Sequence, residues 1–275
     1  MRKNHFKKSI ATIILLVFAA LTLFSGCQTA STGSDDSWDK VKEKGKFVLG
    51  LDEGFPPMGF ADENGEIVGF DVDVAKEVCS RLGVELVLQP INWDAKEQEL
   101  NTGNIDCIWN GFTITEERKQ NVLFSEPYMN NRQIIVVKED ASYNTIEDLK
   151  GKKLGLQSQS SAQDALDAHE EFKSSLGEVV LFDTNTVAIM DLEKGGIDAL
   201  LVDEIVIRYY MQNNKAKFKI FEKELSHEEY GIGFRKNDKQ LMKKVQETLN
   251  SMAKDGTLAE ISNKWFEEDI TTVGK

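Results

Sequence analysis

Histidine and cysteine are scarce, three of each in 275 residues. His5, His169 and His227 are scattered, and no two cysteines form a CxxC pair, so a zinc-finger pattern is excluded. No Gly-x-Ser-x-Gly elbow, Walker loop or dinucleotide glycine run occurs, which removes the usual hydrolase, nucleotide-hydrolase and dehydrogenase signatures. Asp71 and Asp73 lack a third oxygen donor at loop spacing and read as capping and first-turn residues rather than metal ligands. Neither a metal nor a cofactor is expected. Positive charge is also short, with 33 Lys and Arg against 46 Asp and Glu. That balance disfavours nucleic acid and anionic membrane, so an anionic ligand would need a local exception.

A long apolar run does occur at residues 10–24, behind the basic Arg2, Lys3, Lys7 and Lys8 and ahead of Ser25-Gly26-Cys27. This is a secretory signal and no part of the fold, which sets residues 1–26 aside. Their removal deletes four positive charges and no negative one, taking the net charge from −13 to −17. Leu23-Phe24-Ser25-Gly26-Cys27 resembles the lipobox of bacterial lipoproteins. That resemblance implies acylation of Cys27 and an extracytoplasmic protein anchored to the cell membrane. Two acyl chains, at roughly 0.8 kcal/mol per buried CH₂, hold durably without a spanning helix. The Thr, Ser, Gly, Ala and Asp that follow read as a flexible tether, residues 27–40. Cys79 and Cys107 fall on apolar faces and read as buried thiols, with a bridge between them left open.

Beyond the tether, apolar strands alternate with helices of ten to fourteen residues, the rhythm of an α/β protein with mostly parallel sheets. Strands are expected at 46–51, 84–88, 105–109, 132–138, 151–157, 179–182, 197–202 and 218–221. The remaining length, about 235 residues, is where one core begins to split into two. Crossings near Asn130-Asn131 and at 223–226 divide it into one lobe of 41–130 with 227–275 and another of 131–226.

The most informative stretch is Gly111-Phe112-Thr113-Ile114-Thr115-Glu116-Glu117-Arg118. Thr115 suits an N-cap and the two glutamates suit the first turn of a helix, whereas Arg118 opposes the helix dipole. It is either a surface residue paired to Glu117 or a fork that grips an anion, most simply a carboxylate. Gly111 would let backbone approach the ligand, and Thr113 would add a hydroxyl.

With Phe124-Ser125-Glu126-Pro127-Tyr128, this block resembles the extracytoplasmic amino-acid-binding proteins of ABC transporters, bacterial solute-binding protein family 3. The resemblance spans roughly residues 47–265. It implies a two-lobed periplasmic-binding-protein-like fold with two hinge crossings, a free L-amino acid as ligand, permease subunits as partners, and a monomer. It places Asp52 against the ligand side chain, with Phe55 and Trp93 on its two faces, and Asp203 on the α-ammonium. Ser160 would act from the second lobe. Gln159 stands where the family commonly has glycine and would project into or over the pocket. Asp52, Glu53 and Glu204 near the distal end, with no lysine or arginine to take a second carboxylate, favour a polar uncharged or cationic ligand over an acidic one. No catalytic residue is expected. The similar cyclohexadienyl dehydratases make an enzyme the alternative, and a non-transporting amino-acid sensor lipoprotein is another.

Overall fold

A computed structural model describes residues 35–214 and 216–275. The signal segment and Cys27 lie outside the described residues.

Two sheets form two lobes. In the first, Lys46–Leu51 is flanked by Glu85–Pro90 and Cys107–Ile108, both parallel to it, and the order continues to Gly233–Arg235 and Val122–Phe124. Phe47, Leu49 and Leu51 are buried, as befits a parallel strand covered on its faces by helices. The helices Phe70–Leu82, Lys239–Asp255 and Thr257–Phe266 supply buried stripes such as Val74, Val78, Leu241, Val245 and Leu258. In the second sheet Lys153–Gln157 lies between Glu178–Phe182 and Ala199–Asp203, parallel to both. Met129–Lys138 then joins antiparallel to Ala199–Asp203.

Met129–Lys138 is also the hinge. Its first residues leave the first lobe paired with the returning strand Ser226–Tyr230, in the register Met129↔Tyr230, Asn130↔Glu229 and Asn131↔Glu228. The return expected at 223–226 therefore precedes the residues that face Asn130 and Asn131.

Other differences from the sequence reading have local causes. The helix Ser37–Lys44 begins inside the expected tether because it is held to the lobe: Val41 is buried, and the Ser37 hydroxyl accepts from the Leu241 N–H at 3.0 Å. The stretch after Pro90 opens with the short 3₁₀ turn Trp93–Ala95 before the helix Lys96–Thr102. Thr257, which opens the last helix, donates its hydroxyl to Asp255 at 2.7 Å. Cys79 and Cys107 are buried free thiols, and burial pushes Cys79 up to about 12.

Candidate functional site

Parallel strands point their carboxyl ends, and the loops that follow, to one side of a sheet, and an open α/β sheet binds ligands there. Asp52 follows the first strand, Trp93 opens the turn after the second, and Asn110 and Gly111 follow the third. Gln157 and Asp203 end two strands of the other sheet. These residues close on a shared interlobe cavity with Phe55, Thr113, Arg118, Ser160 and Ser161. Its free volume is about 10 Å³, the room of about one water molecule.

At one end lies Arg118, only 7% exposed and the first residue of the one-turn helix Arg118–Asn121. Its N–H donates to the Thr115 hydroxyl at 3.1 Å, so Thr115 does cap this turn. The guanidinium lies over the Phe112 ring, 4.7 Å from its centroid, and Nη1 donates to the Thr113 carbonyl at 2.9 Å. Its nearest carboxylate is Asp164 at 3.8 Å, not Glu117. Burial draws its pKa down from the ordinary arginine value, with Asp164 and Glu228 opposing. A buried guanidinium with this little compensation leaves fork donors for an anion.

Asp203 accepts from the Tyr230 hydroxyl at 2.6 Å and from Asn131 Nδ2 at 2.7 Å. Burial, and then the Glu228 carboxylate, push it up to about 7. A cationic group entering the cavity would relieve both causes.

Gly111 has φ +56, and a Cβ there would stand 2.7 Å from the Phe55 ring and 3.1 Å from Tyr230. The glycine is thus required by two rings as much as by any ligand. Its N–H is committed to Asp71 Oδ2 at 2.7 Å, which also accepts from the Tyr128 hydroxyl at 2.9 Å. Asp71 is therefore a buried brace for the turn rather than a plain cap, and burial pushes it up to about 7.

The other end is Asp52, whose Oδ1 accepts from the Gly54 N–H at 2.8 Å and Oδ2 from Gln157 Nε2 at 2.7 Å. Burial raises its pKa. Gln157 is clamped in turn, donating to the Asp183 carbonyl at 2.9 Å and accepting from Asn185 at 2.9 Å. Trp93 meets Phe112 edge-on at 5.8 Å.

Eight of the nine residues expected from the sequence line this cavity; Gln159 does not. It is exposed, at φ 51, in the left-handed region that the missing glycine would have taken. That backbone carries the side chain outward, while the Gln159 carbonyl accepts from Lys96 Nζ at 2.9 Å across the cleft. Glu53 is exposed, and Glu204 is drawn away by Arg132 and by Arg208 at 2.7 Å, so neither lines the cavity. Lys96 is a buried cation that the sequence did not announce; burial, and then Arg118, lower it to about 8. Ser160 Oγ donates to the Gln157 carbonyl at 2.7 Å, so its hydroxyl proton is spent on its own turn. Asn110, Gln157 and Ser161 were missed, although each adjoins a strand end or an expected residue.

Comparison with known proteins decides the family. Residues 47–268 match the model of bacterial extracellular solute-binding proteins, family 3. The chain belongs to that family. Among relatives, the L-cystine-binding protein TcyJ of Escherichia coli strain K12 is 32% identical over 94% of this chain and 96% of its own. The ABC transporter arginine-binding protein 1 of the same organism is 31% identical over 81% of this chain and 91% of its own. An ABC uptake transporter substrate-binding protein from Streptococcus pneumoniae, solved with bound histidine, superposes with a TM-score of 0.84 at 39% identity. It covers 88% of this chain and all of its own. The family is one of extracytoplasmic binding proteins rather than enzymes, and the two-lobed α/β architecture is its periplasmic-binding-protein fold. Among the described residues no three His, Cys, Asp or Glu are grouped to hold a metal ion.

Proposed function

We propose that this protein binds one free L-amino acid, polar uncharged or cationic, between its lobes and delivers it to an ABC permease. The observation that carries this reading is a buried arginine and a buried aspartate on one small cavity, Arg118 and Asp203. The α-carboxylate meets the Arg118 fork and the Thr113 turn; the α-ammonium meets Asp203. The side chain lies between Phe55 and Trp93 with its tip toward Asp52, whose carboxylate disfavours an acidic tip. Closure excludes water and strengthens each charge-assisted contact. Because the closed form binds better, the ligand shifts the population toward it. Relatives named for arginine and cystine, and a solved neighbour holding histidine, support this range of ligands.

A thermal-shift screen of ligand-stripped protein over the twenty amino acids plus cystine tests the reading, since a ligand of the folded state raises the melting temperature. The strongest shift is expected from a polar or cationic amino acid. No shift from any would overturn the reading, and glutamate or aspartate as best ligand would overturn the assigned class. The proposal includes a lipid anchor at Cys27, and Cys27→Ala should leave the detergent phase for the aqueous one. Unchanged partitioning would refute the anchor.

A further inference from the structure

Behind the cavity wall lies a carboxylate that neither the sequence nor the binding scheme uses. Glu228 sits on the returning hinge strand, 7% exposed. Its Oε2 is the meeting point of four side chains: Thr113 Oγ1 at 3.1 Å, Ser161 Oγ at 3.3 Å, Asn131 Nδ2 at 3.0 Å and Gln133 Nε2 at 3.1 Å. Oε1 takes the Ser226 hydroxyl at 3.2 Å. Thr113 and Ser161 also touch each other, oxygen to oxygen, at 3.1 Å.

The origin of these donors matters more than their number. Asn131, Gln133 and Glu228 belong to the hinge ribbon, where Asn131 pairs with Glu228. Thr113 comes from the turn of the first lobe, and Ser161 is the first residue of the helix Ser161–Asp167 in the second. A carboxylate only accepts, so hydroxyl protons from both lobes converge on one hinge atom. Opening the cleft separates Thr113 from Ser161 and strips a charge-assisted bond from a buried acid. Asn131 Nδ2 spans Glu228 and Asp203, at 3.0 and 2.7 Å, which links the same junction to the residue expected to hold the ammonium.

We propose that Glu228 is a positioning residue for closure, a hinge strut that gathers a hydroxyl from each lobe and completes its hydrogen bonding only when the cleft is shut. It acts through Thr113 and Ser161 and need not touch the ligand. The strut rests on the amino-acid reading only where affinity is measured; closure is read on the ligand-free chain as well.

The test is the interlobe distance between spin labels at the exposed Lys42 and Lys194, in ligand-free protein and in protein saturated with L-arginine as the probe. E228Q keeps the shape and removes the charge, and it should shift the distance distribution toward the open form in at least one of the two conditions. Its L-arginine affinity should fall about tenfold, the weight of one charge-assisted bond. S161A should shift the distribution less, and the double variant no further than E228Q, because both remove the same contact. An unchanged E228Q distribution in both conditions overturns the strut, as do E228Q and S161A effects that simply add. If E228Q fails to fold, an unshifted S161A distribution does the same. A parent protein that binds no amino acid would overturn the proposed function instead, and the ligand-free distances would still decide the strut.

Discussion

The two ends of the cavity are built by different means. Around Arg118 and Asp203, the walls are turns and hinge strands: the braced Gly111 turn, the Thr113 carbonyl on the guanidinium, and Tyr230 and Asn131 on the aspartate. Around Asp52, the wall is a pair of side chains, the carboxylate and the Gln157 amide, held by Gly54, Asp183 and Asn185. An end woven into backbone and hinge suits what every α-amino acid shares. An end made of exchangeable side chains suits what differs among them.

If that contrast is sound, breaking the shared end has the largest effect. Arg118→Ala should weaken every amino acid ligand by about 2–5 kcal/mol, the cost of removing one partner of a desolvated charge pair. Arg118→Lys keeps the charge but loses the fork, and should recover only part of the loss. Calorimetric titration of folded variants measures both. An Ala variant within threefold of the parent would remove Arg118 from the site.

Asp203→Asn should come next, weakening all ligands by a similar factor, and it carries a pH signature. Burial and Glu228 raise Asp203 from the ordinary 3.8 to about 7. Between those values the folded chain holds a proton that the unfolded chain has released. This group's contribution to ligand-free stability is therefore fully present below about 3.8 and lost as pH rises through about 7. Binding an ammonium makes the opposite demand, since it needs the ionised form. Affinity should fall by up to about tenfold per pH unit below 7, and Asp203→Asn should flatten that limb. Titrations at pH 5.5 and 7.5 with equal parent affinity would contradict the assignment.

The same contrast explains what could be read from the chain alone. Arg118, Thr113 and Gly111 stand in one local motif, and it is the resemblance carried by that motif that implied a role for Asp203, at the end of an apolar strand. Glu228 could not be found that way. It lies in Ser226-His227-Glu228-Glu229, which reads as surface, and its partners Thr113, Asn131, Gln133 and Ser161 are all remote in sequence. Lys96 and Glu204 failed for a related reason, since their partners, the Gln159 carbonyl and Arg132, are remote in sequence. Local pattern reports on strands and turns; it does not report on pairs joined by the fold.

At the distal end, Asp52→Asn should change the order of preference among ligands more than their common affinity. The amide keeps an acceptor for the Gly54 N–H but removes the charge. Ligands with a cationic tip should lose about 1.5–3 kcal/mol relative to uncharged ones, as for a hydrogen bond to a charged group. A panel titration in which all ligands fall together would move Asp52 to the shared end and collapse the distinction.

The smallest effect sharpens the boundary of the site. Gln159 holds φ 51, a backbone conformation that costs a residue with a Cβ roughly 1–2 kcal/mol, while glycine adopts it freely. Gln159→Gly relieves that strain but loosens the unfolded chain by a comparable roughly 0.5–1 kcal/mol, so the melting temperature should hold or rise by a few degrees. The Lys96 contact uses the backbone carbonyl and survives the change. The side chain faces solvent, so affinity and ligand order should both stay put. Either shifting by more than threefold in calorimetric titration would return Gln159 to the cavity, as the sequence alone had suggested, and would show that the turn moves on binding.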